Sequence, residues 1–430
     1  MNAQVPLTSE IVKPAELFKD VNYKKAWLMV FLCLGFSECA GAALDMVTSI
    51  MAPVLADLGK TPVWGASLAS SVSLASMICS IPMGFLITRF GYRLGGIIGF
   101  AAFLCGAVLA AVSSTPELLI VARFIQGIGF VVPLILAPTI IATYFPKEKL
   151  GIPLGICGGY AGLGHVIMLQ VANGVVPIWG WRGVFWVCAG ITAVIAVLWL
   201  LLMRPGPAYA LVLEERKRAA VEKKKASYGD VFKTPEVWAL AAIMFAFTIA
   251  MKGFMPYSSM IFMENCGAAP VVANNLSSLF GAGMIFGGLL GGAVYTFAGK
   301  RRGYFFPIIV FISMTTLFIG FRLSSMGAAW TFAALGGLLT IATPALLYVT
   351  VPVFAPSPGA VAITVSFYTF FGQYFSAILA PYITALSKTF GGGGWQSASN
   401  SVAFFGIIGL ACAFYIGYKL NQKVKNGEMV

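Results

Sequence analysis

Long apolar runs follow one another along almost the whole chain, and they constrain its fold more than any other feature. A helix that crosses the roughly 30 Å hydrocarbon layer of a bilayer needs about 20 predominantly apolar residues. Membrane strands are about half as long and alternate apolar with polar residues, which these runs do not do. The sequence therefore predicts an all-α membrane protein with twelve transmembrane helices. We place the spans at 27–52, 64–87, 94–112, 118–143, 151–176, 183–203, 237–262, 271–298, 304–323, 327–352, 359–386 and 396–419.

The charge pattern predicts how these spans are oriented. Of the 430 residues, 59% are hydrophobic and only 10% are charged, whereas about a quarter of an ordinary soluble domain is charged. The net charge of +13 does not indicate a nucleic-acid partner, because most of the 28 Lys and Arg residues fall in the tails and in loops on one side of the predicted bundle. Such an excess marks cytoplasmic loops. We predict a multi-pass protein of the plasma (inner) membrane, with the lipid bilayer as a partner and both termini in the cytoplasm.

A charged stretch divides the chain into two halves of six spans each. Its core, LEERKRAAVEKKKA, is rich in helix-forming residues, so we predict a helix along the cytoplasmic surface that acts as a tether. A regulatory role is the alternative. The predicted units are a cytoplasmic tail at 1–26, an N-terminal half at 27–203, the linker at 204–236, a C-terminal half at 237–419 and a cytoplasmic tail at 420–430.

The two halves are related by a repeat. At a constant offset of 208 residues, Gly59 aligns with Gly267 and Gly91 with Gly299, and further matches continue across five spans without a gap. Six spans per half give both halves the same orientation, so the repeats are parallel, about an axis along the membrane normal. Transporters built in this way bind substrate near the midplane, between the halves.

Two motifs resemble those of a known family. GFLITRFGYRLG (84–95) resembles the loop signature of the major facilitator superfamily, and RFIQGIGF (123–130) is similar to its fourth-span motif Arg-x-x-Gln-Gly-x-Gly. The resemblance implies the major facilitator fold and transport by alternating access. The conformational loop residues that it implies are Gly84, Thr88, Arg89, Gly91 and Arg93 in the first half, and Thr296, Gly299 and Arg301 in the second.

Both loops depart from the family at one position. Thr88 and Thr296 stand where the family usually has Asp, whose charge takes part in a lock between the halves. Threonine brings no charge, so the resemblance implies a weaker or differently built lock. For Arg89 and Arg93 the alternative role is membrane topology alone. The fifth-span signature of antiporters is poorly matched in GIPLGICGGYAGLGH, which lacks its Gly-Pro pair, and this disfavours drug efflux.

Three ionisable residues predict proton coupling. An ionised group inside a bilayer is costly and is usually functional. Glu38 and Asp45 share one face of the first span, roughly 20° apart around the helix and roughly 10 Å apart along it. Arg123 reaches the depth of Asp45, so we predict an ion pair in which proton binding to the acid frees the guanidinium. A permanent structural pair is the alternative. The predicted proton-coupling residues are Glu38, Asp45 and Arg123.

Other polar residues predict a substrate site between the halves. His165 and Gln373 are related by the 208-residue repeat, and both fall near the middle of their spans. Lys252 lies within a span, so its ammonium needs an acid or a bound anion as its partner. The glycine and proline that follow it predict an irregular helix. The alternative for His165 is a hydrogen bond to a neighbouring residue. The alternative for the tyrosines is a packing role. The predicted substrate-binding residues are Arg123, His165, Lys252, Gln373, Tyr257 and Tyr374.

These residues favour a secondary active transporter over an enzyme. The sequence holds no Gly-x-x-x-x-Gly-Lys-[Ser/Thr] loop, no spacing typical of a metal site and no catalytic constellation, so we expect no cofactor and no metal. We predict a proton-coupled carrier of a small organic anion, a carboxylate, that works as a monomer with its substrate and protons as partners. The alternatives are a proton-driven antiporter of drugs or lipophilic compounds and, ranked lower, a non-transporting membrane sensor.

Overall fold

The described part of the chain is a bundle of long helices. A computed structural model of the protein describes residues 22–146, 149–210, 228–356 and 360–426, except the side chains at 88, 228, 288–296, 300 and 362. Every regular element within these ranges is helical. The predicted linker helix falls largely on 211–227, outside the described residues, and most of the two predicted tails also lies outside them.

The helices agree with the predicted spans. Ten stretches of the described chain are long and apolar enough to cross a membrane, and one of them, Gly151–Leu202, breaks at Gly180, where φ is 64°. Pro270–Ala298 adds a further long helix, so the described chain is consistent with twelve spans. We label them α1 (Tyr23–Leu58), α2 (Pro62–Ile87), α3 (Arg89–Ala111), α4 (Pro116–Ile141), α5 (151–179), α6 (181–202), α7 (Pro235–Cys266), α8 (Pro270–Ala298), α9 (Arg302–Gly320), α10 (Met326–Phe354), α11 (361–390) and α12 (Ala398–Lys425).

The backbone carries the repeat that the sequence predicts. Gly59 and Gly267 end α1 and α7 with φ of 59° and 67°, and Gly91 and Gly299 turn the chain after α2 and α8 with φ of 83° and 47°. Glycine adopts such left-handed conformations without the steric penalty of a Cβ. Both pairs are separated by the same 208 residues. We call the end of the bundle with Gly59 and Gly267 the outer end, and the end with Gly91 and Gly299 the inner end, which is predicted to be cytoplasmic.

The family loop lies at the inner end. The guanidinium of Arg89 lies 5.3 Å from the centre of the Phe90 ring, and Arg93 and Arg301 are exposed. The side chains of Thr88 and Thr296 lie outside the described residues, so the predicted change in the lock between the halves stays a prediction.

Two interruptions in the helices shape the centre of the bundle. In α7 a 3₁₀ turn, Met255–Tyr257, follows Lys252, which confirms the irregular helix predicted there. In α11 residues Phe370–Phe375 form a π-helix, which adds a residue to the turn and is frequent at functional sites. Both interruptions face the boundary between α1–α6 and α7–α12.

Candidate functional site

The two halves are joined at the outer end of the bundle. The hydroxyl of Tyr257 donates to the carbonyl of Pro62 at 2.8 Å, and Thr48 donates to the carbonyl of Met255 at 3.1 Å. Between α5 and α8, Asn274 donates to Asn173 at 2.8 Å. Buried and partly buried hydrogen bonds of this kind are costly to leave unmade, so they hold the outer end closed.

The inner end is open between the halves. A cavity with about 1700 Å³ of empty space is lined there by the first turns of α5, including Gly151 and Ile152, and by Met284, Ile285 and Ile341 from the other half. Ile152 is 72% exposed. The structure is therefore closed at the outer end and open at the inner end.

A central cavity of about 1090 Å³ continues this opening toward the outer end. The two cavities share Gly158, Ala161, Met284 and Ile341 in their linings. The central cavity is lined by both halves, as the repeat predicts. Its lining is Leu44, Val72, Ser73, Ser76, Phe130, Gly158, Tyr160, Ala161, Met244, Phe247, Thr248, Met251, Lys252, Met255, Met284, Ile341, Pro344, Tyr348, Gln373, Tyr374 and Ala377.

Three of the predicted substrate residues meet in this cavity. Lys252, Gln373 and Tyr374 all line it, the last two from the π-helix of α11. The hydroxyl of Tyr348 donates to the side-chain oxygen of Gln373 at 2.8 Å. Within the described part of the chain, no hydrogen bond or ion pair engages the ammonium of Lys252. The cavity therefore contains a cation that has no protein partner there.

Asp45 pairs with His165, and this corrects the predicted pair with Arg123. The Nδ1 of His165 lies 3.6 Å from Oδ1 of Asp45, and both side chains are almost fully buried. Asp45 and Lys252 also line one small pocket that adjoins the central cavity. The acid thus contacts the imidazole of its own half and shares a pocket with the lysine of the other.

Arg123 instead bonds to the backbone of the neighbouring helix α1. Its Nη1 donates to the carbonyl of Ala43 and, at 2.7 Å, to the side-chain oxygen of Gln126. Arg123 extends from α4 to α1 and bonds to the backbone carbonyl two residues before Asp45. It does not meet the carboxylate itself, because the carboxylate points toward α5. Arg123 is fully buried and does not line the central cavity, so its predicted contact with substrate stays a prediction.

His165 and Tyr257 also lie outside the cavity lining. A Cβ added to Gly281 of α8 would lie 2.7 Å from Cδ2 of His165, so the imidazole packs directly against the other half. Tyr257 is fully buried, and its ring centroid lies 4.9 Å from that of Trp395. The 3₁₀ turn directs Tyr257 outward, where it closes the outer end rather than facing a substrate.

Glu38 lies in a different pocket from Asp45, although the sequence predicts one shared face. A close crossing of α1 and α5 fills the space between the two acids: a Cβ on Gly41 would lie 2.6 Å from the carbonyl oxygen of Tyr160. Below this crossing, Glu38 faces α5 and α6 in a pocket with about 350 Å³ of empty space, which includes Cys188 and Thr192. Neither of its carboxylate oxygens has a hydrogen-bond partner among the described residues. This pocket shares no lining residue with the central cavity.

Replacing Gly164 with Ala is expected to damage the site. The added Cβ would lie 2.8 Å from Cα of Gly41, so α1 and α5 would have to separate and carry Asp45 away from His165. Overpacking of this kind costs about 1–3 kcal/mol, so the midpoint of thermal unfolding should fall. Gly174→Ala is the matched control on the same helix, because nothing lies within 4 Å of its new Cβ. Equal unfolding midpoints for the two variants would contradict the close crossing.

Sequence reasoning missed much of the cavity wall. Phe130, Met244, Phe247, Met251 and Met284 line the central cavity, but apolar residues in a membrane span give no sign of whether they face lipid, core or cavity. The outer closure was also missed. The sequence did contain a signal for this closure, because side-chain amides are rare in apolar spans. The amides at the closure are those of Gln170, Asn173, Asn274 and Asn275.

Comparisons with known proteins agree on one family and one fold. A family model described as Major Facilitator Superfamily matches residues 31–381. Sialic acid transporter NanX of Escherichia coli (strain K12) is 24% identical over 307 residues, which are 70% of this chain and 73% of the relative. Lysosomal dipeptide transporter MFSD1 of Danio rerio is 25% identical over 59% of this chain, which spans only 57% of that relative.

Solved structures show the same fold. A bacterial homolog to the human lysosomal transporter Spinster, in an inward-facing and unoccupied conformation, aligns with a TM-score of 0.74 at 16% identity, over 93% of this chain and 98% of that one. A D-xylose-proton symporter aligns with a TM-score of 0.67 at 17% identity, over 92% of this chain and 97% of that one. At these identities the likeness concerns the fold alone.

Proposed function

This chain belongs to the Major Facilitator Superfamily, and from that premise we propose that it carries an organic anion together with a proton by alternating access. It is a secondary transporter, and its inner end faces the cytoplasm from the plasma membrane in this proposal. It has no catalytic role. The substrate is a carboxylate.

The observation that carries the proposal is the ammonium of Lys252 in the wall of the central cavity. A charge in a largely apolar cavity is costly unless a partner neutralises it, and the half-buried Lys252 has no such partner among the described residues. The cavity opens at the inner end, so a carboxylate can reach Lys252 from that side. An anion bound there completes a charge pair that the protein leaves incomplete.

Asp45 supplies the proton coupling in this proposal. Asp45 and Lys252 line the same small pocket, so an ionised Asp45 competes with the substrate carboxylate for the ammonium. Protonation of Asp45 removes that competition, because the neutral acid no longer attracts the ammonium. A proton and a monoanion therefore bind together, and because their charges cancel, loading does not change the net charge of the carrier. This is the arrangement of a symporter.

His165 links the acid to the movement of the halves. It touches Asp45 on one side and packs against Gly281 of α8 on the other. Separation of α5 from α8 at the outer end would remove that packing and change the surroundings of the acid. Arg123 holds the backbone of α1 beside Asp45 and so positions the acid. Glu38 is a secondary proton site in this proposal, because its pocket is separate.

Uptake into proteoliposomes tests the proposal. Vesicles with an alkaline interior should accumulate a transported carboxylate from an acidic medium, and accumulation should stop when a protonophore collapses the gradient. One pH unit drives up to about tenfold accumulation for one proton per anion. The controls are vesicles without protein, measured once with equal pH on both sides and once with the pH gradient. Movement of no solute in either direction would contradict the carrier.

One observation favours the alternative of antiport. Asp45 and the aromatic side chains Phe130, Phe247 and Tyr374 border the cavity region, and an acid with aromatic rings also suits a lipophilic cation. Lys252 lies closer to the open cavity than Asp45 does, since it lines both pockets, and it would repel such a cation. Export of lipophilic cations against inward proton flow in the same vesicles would establish the alternative.

A further inference from the structure

We infer that the carried anion is an amphipathic monocarboxylate, bound with its carboxylate at Lys252 and with an aromatic or alkyl body lying toward the inner end. The inference rests on the proposed function and narrows its substrate class. It follows from how charge, hydrogen-bonding groups and apolar surface are distributed along the central cavity.

The charge in the cavity suits one carboxylate. Lys252 is the only charged side chain among the described residues that line the central cavity. The nearest acid, Asp45, lies in the adjoining pocket and would repel a second carboxylate when ionised. A dicarboxylate would bring a second negative charge into the cavity with no cation to meet it, at a considerable cost in free energy.

The direction of the substrate follows from what lies beyond Lys252. The 3₁₀ turn Met255–Tyr257 comes next on α7, and Tyr257 bonds across to Pro62 at the closed outer end. Among the described residues, these contacts close the bundle beyond the small pocket that Lys252 shares with Asp45. A carboxylate on Lys252 must therefore leave the rest of its molecule in the cavity on the inner side.

An apolar belt surrounds that part of the cavity. We define it as Phe130, Met244, Phe247, Met251 and Met284, all lining the cavity and each less than 10% exposed. Methionine is flexible and polarisable and makes favourable contacts with aromatic rings, and phenylalanine rings stack or meet edge to face. The belt is thus suited to a ring or an alkyl chain whose shape is not tightly specified.

The belt side chains offer no hydrogen-bond donor to the hydroxyls of a polyhydroxylated acid. Among the other polar groups of the lining, the hydroxyl of Ser76 is already bonded to the carbonyls of Val72 and Gly127, at 2.7 and 3.1 Å, and the side-chain oxygen of Gln373 accepts from Tyr348. Thr248 has a buried hydroxyl without a partner among the described residues, and Ser73, Tyr160 and Tyr374 add further hydroxyls to the lining. Each further substrate hydroxyl placed against the belt would lose its hydrogen bonds to water without replacement, which weakens binding.

The test measures the binding of five probes to the full-length protein in nanodiscs by isothermal titration calorimetry. The probes are 3-phenylpropionate, its neutral amide, the matching amine 3-phenylpropylamine, glucuronate and acetate. We expect 3-phenylpropionate to bind about 10-fold or more tightly than each of the other four, because only it combines the charge for Lys252 with an apolar body for the belt. Phe247→Ala should weaken 3-phenylpropionate about 10-fold and leave acetate unchanged.

The outcomes separate the inference from the proposed function. If glucuronate binds more tightly than 3-phenylpropionate and loses affinity in Lys252→Gln, the anion carrier stands and the amphipathic substrate class is overturned. If the amine binds most tightly, or no carboxylate binds, both are overturned. Should Phe247→Ala fail to fold, the five probes on the unchanged protein decide the matter alone.

Discussion

Replacing Asp45 with Asn is expected to abolish proton-driven accumulation while substrate exchange continues. The amide has nearly the shape of the acid, so the contact with His165 and the packing of α1 against α5 should survive. It cannot take up and release a proton, so the anion would no longer be tied to proton movement. With one pH unit across the vesicle membrane, the steady-state concentration ratio should fall from about 10 to about 1. Labelled substrate should still exchange between the two sides when unlabelled substrate is present on both.

Glu38→Gln is the matched comparison. It makes the same chemical change seven residues away on the same helix, but its pocket shares no lining residue with the central cavity. We expect this variant to keep a ratio well above 1, with at most a slower rate. If Asp45→Asn accumulates substrate as well as the unchanged protein, the assignment of Asp45 is wrong. If only Glu38→Gln loses accumulation, coupling belongs to the pocket that contains Glu38.

Replacing Lys252 with Gln is expected to weaken binding of the carboxylate substrate by about 10- to 100-fold. A hydrogen bond to a charged group contributes about 1.5–3 kcal/mol, and tenfold in affinity corresponds to about 1.4 kcal/mol. Glutamine keeps a polar side chain that can donate a hydrogen bond and loses only the charge. Titration calorimetry on the purified variant measures the effect, independently of any proton gradient.

Two substitutions serve as controls for Lys252. Lys252→Arg preserves the charge, so its affinity should lie within a few-fold of the unchanged protein, whereas a loss as large as that of Lys252→Gln would show that shape rather than charge matters. Lys60→Gln removes a positive charge from the outer loop between α1 and α2, away from both cavities. It should leave affinity unchanged. An equal loss in Lys60→Gln and Lys252→Gln would indicate a general effect of net charge.

The fold could be predicted from the sequence because each span is selected by its own composition. A run such as 118–143 enters a bilayer as a helix since its backbone hydrogen bonds are satisfied within the run, whatever its neighbours are. The structure places α4 at Pro116–Ile141. The repeat also arises from local sequence: glycines 208 residues apart have positive φ at both ends of the bundle.

The central cavity could be predicted in part. Lys252 and Gln373 were identified because polar groups inside a span must face protein or water, and both line the central cavity. The apolar belt could not be found in this way. Phe247 lines the cavity, yet nothing in its type or spacing distinguishes it from the phenylalanines that face lipid or pack within a half.

The sequence by itself determined which groups are ionisable within the bundle and at what depth each lies, because depth follows from the rise of a helix along the chain. Only the tertiary structure decided which of them meet. Glu38 and Asp45 are neighbours on a helical wheel, but the contact of Gly41 with the backbone of α5 separates them. Arg123 has the depth of Asp45 and bonds to the backbone of Ala43 instead. Pairing depends on how each helix is rotated against the next, and close packing at a few glycines sets that rotation.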